Sequence, residues 1–308
     1  MTMTLLTRCH PQPLQLNAID LENSALSQSF GRYLWKFAWG GRHYWLKAQQ
    51  QGISALHQQS FENELQHYLQ LTERVPQVLL EYEVMTFTQL CTVVPDLTTL
   101  LPPYMHEAEQ LSLLLLADSA ALFKTSVAHL SDAQVLAVLL SSLDSLACLH
   151  QAGFVHGDLK APHFRVNLVC DGQSNQFEST EIQSYLIDFE QAGRIGQFTV
   201  GAQTATPHYM APELFHGQAK SVASDIYALA VIWWEWLSQR KLYEKSYLDW
   251  AYLHCQRFEV SLPNRFVQFE KVLKQMLAKN SQARCTDFYQ IKQMLINHVQ
   301  RKTNHSAS

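Results

Sequence analysis

The stretch LHQAGFVHGDLKAPHFRV, Leu149 to Val166, decides how the rest of the chain is read. Upstream of it, Val135, Leu136, Leu139, Leu140, Leu143 and Leu146 recur at helical spacing, which predicts a buried helix from Ser131 to Gln151. Ser131 and Gln134 form a capping-box pattern at its start, and Gly153 stands where such a helix ends. Downstream, Phe164 to Val169 predicts a strand. A buried helix and a strand therefore present a short polar loop that carries Asp158, Lys160 and His163. A His-x-Asp-Leu-Lys string alone also arises by chance in ordinary polar turns, so its weight comes from these flanking elements.

Composition narrows the classes. A chain of 308 residues suits one two-lobed domain or two small ones. A net charge of -4 advertises no basic face for nucleic acid or an anionic membrane. Six scattered cysteines lack metal-ligand spacing and fit free thiols in a reducing compartment. The opening MTMTLLTRCHPQPLQ lacks the apolar core and cleavage site of a signal peptide. The apolar runs SLLLLADSAALF and VLAVLLSSLDSLACL are broken by Asp and Ser and predict no integral membrane segment. The expectation is a soluble cytoplasmic protein that binds no nucleic acid.

From the amino terminus, Tyr33–Trp39 and His43–Ala48 flank Gly40-Gly41, a hairpin signal, with Lys47 near the end of the second strand. Ser60–Glu73 predicts a helix with Phe61, Leu65, Tyr68 and Leu69 on one face; Glu64 lies at the edge of that face and Glu62 is nearly as well placed. Val78–Val84 and Gln89–Val94 predict strands, and Val93, Val94, Pro95 and Asp96 a connector. Thr98–Leu130 predicts a leucine-rich helix plus an insertion. After the loop, Ser184–Ile187 predicts a short strand ending in Asp188-Phe189-Glu190, and Ser224 is expected to cap a very apolar helix through Trp236.

The ordered set Lys47, Glu64, Asp158, Lys160, Asp188, Thr206, Glu213, Asp225 and Arg284 resembles the eukaryotic-like serine/threonine protein kinase family, from about Phe30 to Val299. The resemblance implies an α+β, bilobal protein kinase-like fold. A small antiparallel sheet with one main helix would occupy 21–96 and a larger, mainly helical lobe 97–300, after an extension over 1–20 and before a loose tail over 301–308. It implies ATP, Mg2+ with Mn2+ as an alternative, and a protein substrate. By the same resemblance Asp158 is the general base, Lys160 steadies the γ-phosphate, and Thr206 supports Asp158. Lys47 meets the phosphates and is held by Glu64, Val93 and Val94 form the adenine hinge, and Asp188 binds metal. Asp225 anchors the catalytic loop, and Glu213 pairs with Arg284.

Several positions depart from that pattern. SQSFGR keeps only Gly31 of three phosphate-loop glycines, leaving Ser27 and Ser29 hydroxyls as substitutes. Trp45 stands where a small residue covers adenine, and Arg165 falls near its floor. Gly157 replaces an arginine, Glu190 a glycine, and His163 the asparagine that binds a second metal ion. Phe30-Gly31-Arg32, Gly41 to Lys47, and the spacing of Asp158 to His163-Phe164 are similar to the bacterial Kdo/heptose lipopolysaccharide kinase family, in which an aromatic and a histidine occupy the matching positions. A lipopolysaccharide-sugar or small-molecule kinase and a pseudokinase scaffold are therefore the alternatives.

Overall fold

The computed structural model describes residues 19–22, 24–39, 41–93, 111–167, 182–197 and 205–305. They fall into two compact units. One runs up to Thr72 and adds Leu79–Ser119, and the other combines Glu73–Val78 with the chain from Ala120 onward.

The first unit is a five-stranded antiparallel sheet. β1 (Ile19–Leu21) leads to a short helix α1 (Ala25–Ser29), then to β2 (Arg32–Trp39) and β3 (Arg42–Gln49). Trp39 pairs with Arg42 at the end of the β2–β3 pair. Next come helix α2 (Ala55–Arg74), β4 (Tyr82–Thr86), helix α3 (Phe87–Val93) and β5 (Ser112–Ala117), giving the strand order β1-β2-β3-β5-β4. Alternation builds the core, because successive strand side chains face opposite sides. Trp35, Phe37, Tyr44, Leu46, Met85 and Leu113 pack together on one face, which leaves Trp45 and Lys47 on the other.

Three predicted elements differ here. Of the strand expected over Gln89–Val94, the described part, Gln89 to Val93, is helix: Thr86 Oγ1 accepts from the Gln89 amide at 3.2 Å and Gln89 Oε1 from the Thr86 amide at 2.7 Å, a reciprocal cap that starts α3. The run assigned to a leucine-rich helix contains β5, whose Leu113, Leu114 and Leu115 are fully buried. In α2, Leu69 is exposed and Leu71 takes the buried place beside Phe61, Leu65 and Tyr68.

The second unit is mainly helical. β6 (Ser119–Ala121) precedes helix α4 (Asp132–Gln151), where Ser131 and Gln134 do form a capping box. β7 (Phe154–Val155), β8 (Phe164–Asn167), β9 (Tyr185–Leu186) and β10 (Gly193–Arg194) are short strands that fix the loops between them, in the orders β10-β7 and β6-β8-β9. Helices α5 (Pro212–Phe215), α6 (Val222–Ser238), α7 (Tyr247–Tyr252), α8 (Glu270–Met276) and α9 (Phe288–His305) follow. The N-cap of α6 is Ser221, with Ser224 at the third helical position closing a capping box; the helix therefore starts one turn earlier than Ser224 implied. α9 continues through Arg301 to His305, a stretch expected to be loose tail.

Buried serines stitch the helices together. Trp233 Nε1 donates to Ser142 Oγ at 2.9 Å, and Ser184 Oγ bonds Ser145 Oγ at 2.9 Å. Among the described residues α4 is, by length and composition only, long and apolar enough to cross a membrane, with a mean hydropathy of 1.5. It packs against α9 and is covered inside this unit.

Candidate functional site

In the first unit, β3 presents Lys47 and α2 presents Glu64. Lys47 Nζ lies 2.7 Å from Glu64 Oε2, and Glu64 is 1% exposed. Glu62 is exposed and bonded to Gln58, so the helical phase that the sequence leaves open is resolved in favour of Glu64. Two strand positions back, Trp45 Nε1 donates to Asp118 Oδ1 at 2.7 Å. Lys36 Nζ pairs with Asp118 Oδ2 at 2.9 Å and sits 5.0 Å from the centre of the Trp45 ring. Burial raises the Asp118 pKa, but the hydrogen bonds from Lys36, Trp45 and the Ser119 amide more than reverse this and hold it down. Neither Asp118 nor Lys36 carried any sequence signal.

The segment between β1 and β2 is occupied by α1, a helical turn in place of a glycine-rich hairpin. Ser27 Oγ bonds Ser24 Oγ and Ser29 Oγ donates to Leu26 O, so both hydroxyls expected to reach phosphate are bonded within the segment. Gly31 takes φ +80°, and a Cβ there would meet Gln49 Nε2 at 2.9 Å. Its lack of a side chain thus serves packing against Gln49. Val93 closes α3 instead of forming a strand-end hinge, and Val94 lies outside the described residues.

In the second unit, one carboxylate organises the loop that carries Asp158. Asp225, near the start of α6, accepts from the His156 amide at 2.7 Å and the Gly157 amide at 3.0 Å, with His150 Nε2 at 2.9 Å. These bonds fix the backbone on which Asp158 sits. Asp158 Oδ2 lies 2.8 Å from Lys160 Nζ, and its Oδ1 accepts from the Thr206 amide at 2.8 Å. Burial pushes the Asp158 carboxyl up, but Lys160 and Thr206 outweigh that and hold it below the usual carboxylate value. It is therefore an ionised acceptor at neutral pH.

Asp188 follows β9 in the left-handed region, at φ 68°, which is uncommon for a residue with a side chain. Its Oδ2 is 3.2 Å from His163 Nε2, and carboxylate oxygens of Asp188 and Glu190 lie within 4.8 Å of each other. Phe189 is fully buried and packs on the His156 ring at 5.4 Å. His156 Nε2 donates to the Ile187 carbonyl at 3.1 Å. Burial first, and then the nearby His163, lower its pKa to about 4, so it is a neutral strut. Glu213 on α5 meets Arg284 through two bonds of 2.6 and 2.8 Å. A cavity of about 320 Å³ opens beside Ala161 and Pro162, lined also by Tyr209, Ile232, Glu235 and Trp236.

A family model described as the protein kinase domain matches residues 47–299. The chain belongs to the protein kinase family. Its fold is accordingly α+β, with the antiparallel sheet in the first unit and the helices concentrated in the second. A probable serine/threonine-protein kinase of Dictyostelium discoideum is 32% identical over 133 residues, covering 42% of this chain and 8% of that protein. Serine/threonine-protein kinase PLK2 of Mus musculus is 27% identical, covering 50% of this chain and 21% of its own length. Serine/threonine-protein kinase PkaB of Streptomyces coelicolor is 34% identical, covering 36% and 26%. The match to this kinase domain thus spans between a twelfth and about a quarter of those relatives.

Protein kinases use ATP together with a divalent metal ion. The donor set fits such an ion: Asp188 and Glu190 offer hard carboxylate oxygens, the ligands that small divalent cations prefer. Arg165 Nη1 points to the Pro162 carbonyl at 3.4 Å. Gly157, where the family pattern has arginine, takes φ +77°, and a Cβ would lie 2.5 Å from the Gln191 carbonyl; no side chain fits there without moving backbone.

Proposed function

We propose that this kinase domain transfers the γ-phosphate of ATP to a serine or threonine hydroxyl of a protein. The observation that carries the reading is the state of Asp158: an ionised carboxylate, bonded to Lys160 and the Thr206 amide, on a loop that Asp225 holds by its backbone. Such a group can accept the proton of an attacking hydroxyl, a contribution commonly worth about 10²–10⁴ in rate. Lys160 neutralises charge beside it, and Lys47, fixed by Glu64, is the residue that would align phosphate oxygens. Asp188 and Glu190 would hold Mg2+, which supplies charge neutralisation on the phosphates when bound; Mn2+ suits the same oxygens. His163 is engaged with Asp188 and orients it. The proposal includes a cytoplasmic location, supported by cysteines without paired spacing.

The protein substrate is supported by the names of the relatives and by Thr206 to Glu213, which close the segment facing the cavity beside Ala161. The test is transfer of radiolabelled phosphate from ATP with Mg2+ to a generic protein or to the chain itself. Wild type is expected to label Ser or Thr, and Asp158→Asn to lose the label. Phosphate appearing on a glycolipid sugar while proteins stay unlabelled would instead support the lipopolysaccharide-sugar kinase alternative. Absence of any transfer, and of any ATP-induced thermal shift, would favour a scaffold.

A further inference from the structure

We propose that Lys220 is a positioning residue of the phosphotransfer site: it fills the gap left by Gly157 and ties the segment that follows Asp188 to the catalytic loop. The inference rests on the kinase reading above. Two backbone segments and the Lys220 side chain meet at one point. The position a Cβ on Gly157 would occupy is 2.5 Å from the Gln191 carbonyl oxygen and 2.9 Å from Lys220 Cδ. Lys220 Nζ donates to Gln191 Oε1 at 3.0 Å. Gln191 lies three residues after Asp188, so this bond fastens the metal-binding segment to Lys220, whose stem in turn lies against Gly157 of the loop that carries Asp158.

Burial and the end of a helix both disfavour a lysine here. Lys220 is 8% exposed, and burying an ammonium group sacrifices its hydration. It stands immediately before Ser221, the N-cap of α6, where the positive end of the helix dipole repels a cation. Burial accordingly lowers its pKa, while the carboxylates of Asp158 and Asp225 oppose that and favour the charge. The cation thus neighbours both the proposed base and the anchor of its loop. Gly157 brings no side chain to this point, and Lys220 brings positive charge beside it from another element.

Geometry assigns the consequence. Small displacements of a reacting group cost about 10- to 100-fold in rate, and Lys220 controls two such groups without reaching substrate. The experiment compares wild type, Lys220→Met, Lys220→Gln and Lys220→Arg. Kinetics, thermal denaturation and amide hydrogen exchange are measured over residues 156–159 and 188–195. Lys220→Met is expected to lower kcat about 10-fold or more with the KM for ATP nearly unchanged, to speed exchange in both segments, and to keep its melting temperature. Lys220→Arg should recover most of kcat, because it restores the charge and a donor. If Lys220→Met does not fold, Lys220→Gln, which keeps a donor without charge, takes its place. Wild-type kcat and exchange in the uncharged variant would overturn the proposal. So would a loss that Arg does not rescue and that tracks a fall in melting temperature. If wild type transfers no phosphate, the functional reading fails separately, and the exchange comparison alone decides whether Lys220 ties the two segments.

Discussion

Glu213 and Arg284, 71 positions apart in the chain, meet through a two-pronged ion pair with bonds of 2.6 and 2.8 Å. Arg284 also donates to the carbonyls of Ala223 and Ala278, so one guanidinium joins α5 to the start of α6 and the loop after α8. Both partners are nearly fully buried. Removing one side strands the other charge, which costs far more than the net value of an intact pair. Glu213→Ala is therefore expected to lose about 3–5 kcal/mol of stability, read as a lower urea midpoint. A variant as stable as wild type would contradict the buried pair.

The bond between Lys47 and Glu64 makes a different kind of prediction. Lys47 is partly exposed on the face of the sheet opposite the core, and Glu64 reaches it from α2. Lys47→Arg, which keeps a cation facing the buried Glu64 carboxylate but not the ammonium geometry, is expected to reduce phosphate transfer by about 10²–10³, the scale for losing one preorganised electrostatic contact, with little change in unfolding. Leu139→Ala, at a fully buried site in α4, should do the reverse and cost about 2–5 kcal/mol of stability. The two readouts, initial rate and denaturation midpoint, separate a site residue from a core residue.

A buried histidine sets a pH dependence. His254 Nε2 donates to the His208 carbonyl at 3.0 Å, while Nδ1 accepts from the Tyr227 hydroxyl at 3.0 Å. Burial, then the positive charge of Lys279, lower its pKa from 6.5 to about 3. The folded chain therefore binds fewer protons here than the unfolded chain between those values. The stabilisation from neutral His254 is fully present above pH 6.5 and is lost as pH falls toward 3, at up to about 1.4 kcal/mol per pH unit. The urea midpoint of wild type should drop between pH 7.5 and 5. His254→Gln should start lower and show a shallower drop.

Gly157→Ala tests the tight meeting of backbone around the catalytic loop. The left-handed conformation costs a residue with a Cβ about 1–2 kcal/mol, and the added methyl would face the Gln191 carbonyl at 2.5 Å. The variant is expected to unfold at lower urea concentration and to transfer phosphate more slowly. Wild-type values for both would mean that the loop relaxes freely.

The sequence was most informative where a residue type has one physical use. Ser131 with Gln134 located the start of α4, and Asp158, Asp188 and Asp225 stood at loop or helix ends where the structure brings them to named partners. It misled where one composition serves two periods. The run Leu113–Leu116 is buried on both faces of β5, and a short, continuously apolar stretch carries no alternation to distinguish strand from helix. The Val and Thr content of 89–94 suggested a strand, although the cap formed by Thr86 and Gln89 was present in the letters. The contacts of Asp118, His150 and Lys220 depend on partners distant in sequence, which local pattern does not reveal.

The apolar character of α4 matters before folding is complete. Emerging from the ribosome, Asp132–Gln151 presents a stretch with a mean hydropathy of 1.5, which by composition alone resembles a bilayer anchor. Asp144, bonded to Lys292 in the finished fold at 2.9 Å, places a charge inside that stretch, where insertion into lipid costs about 2.5–3.5 kcal/mol. The same carboxylate that fastens α9 thus also makes this stretch a poorer bilayer segment than its hydropathy alone implies.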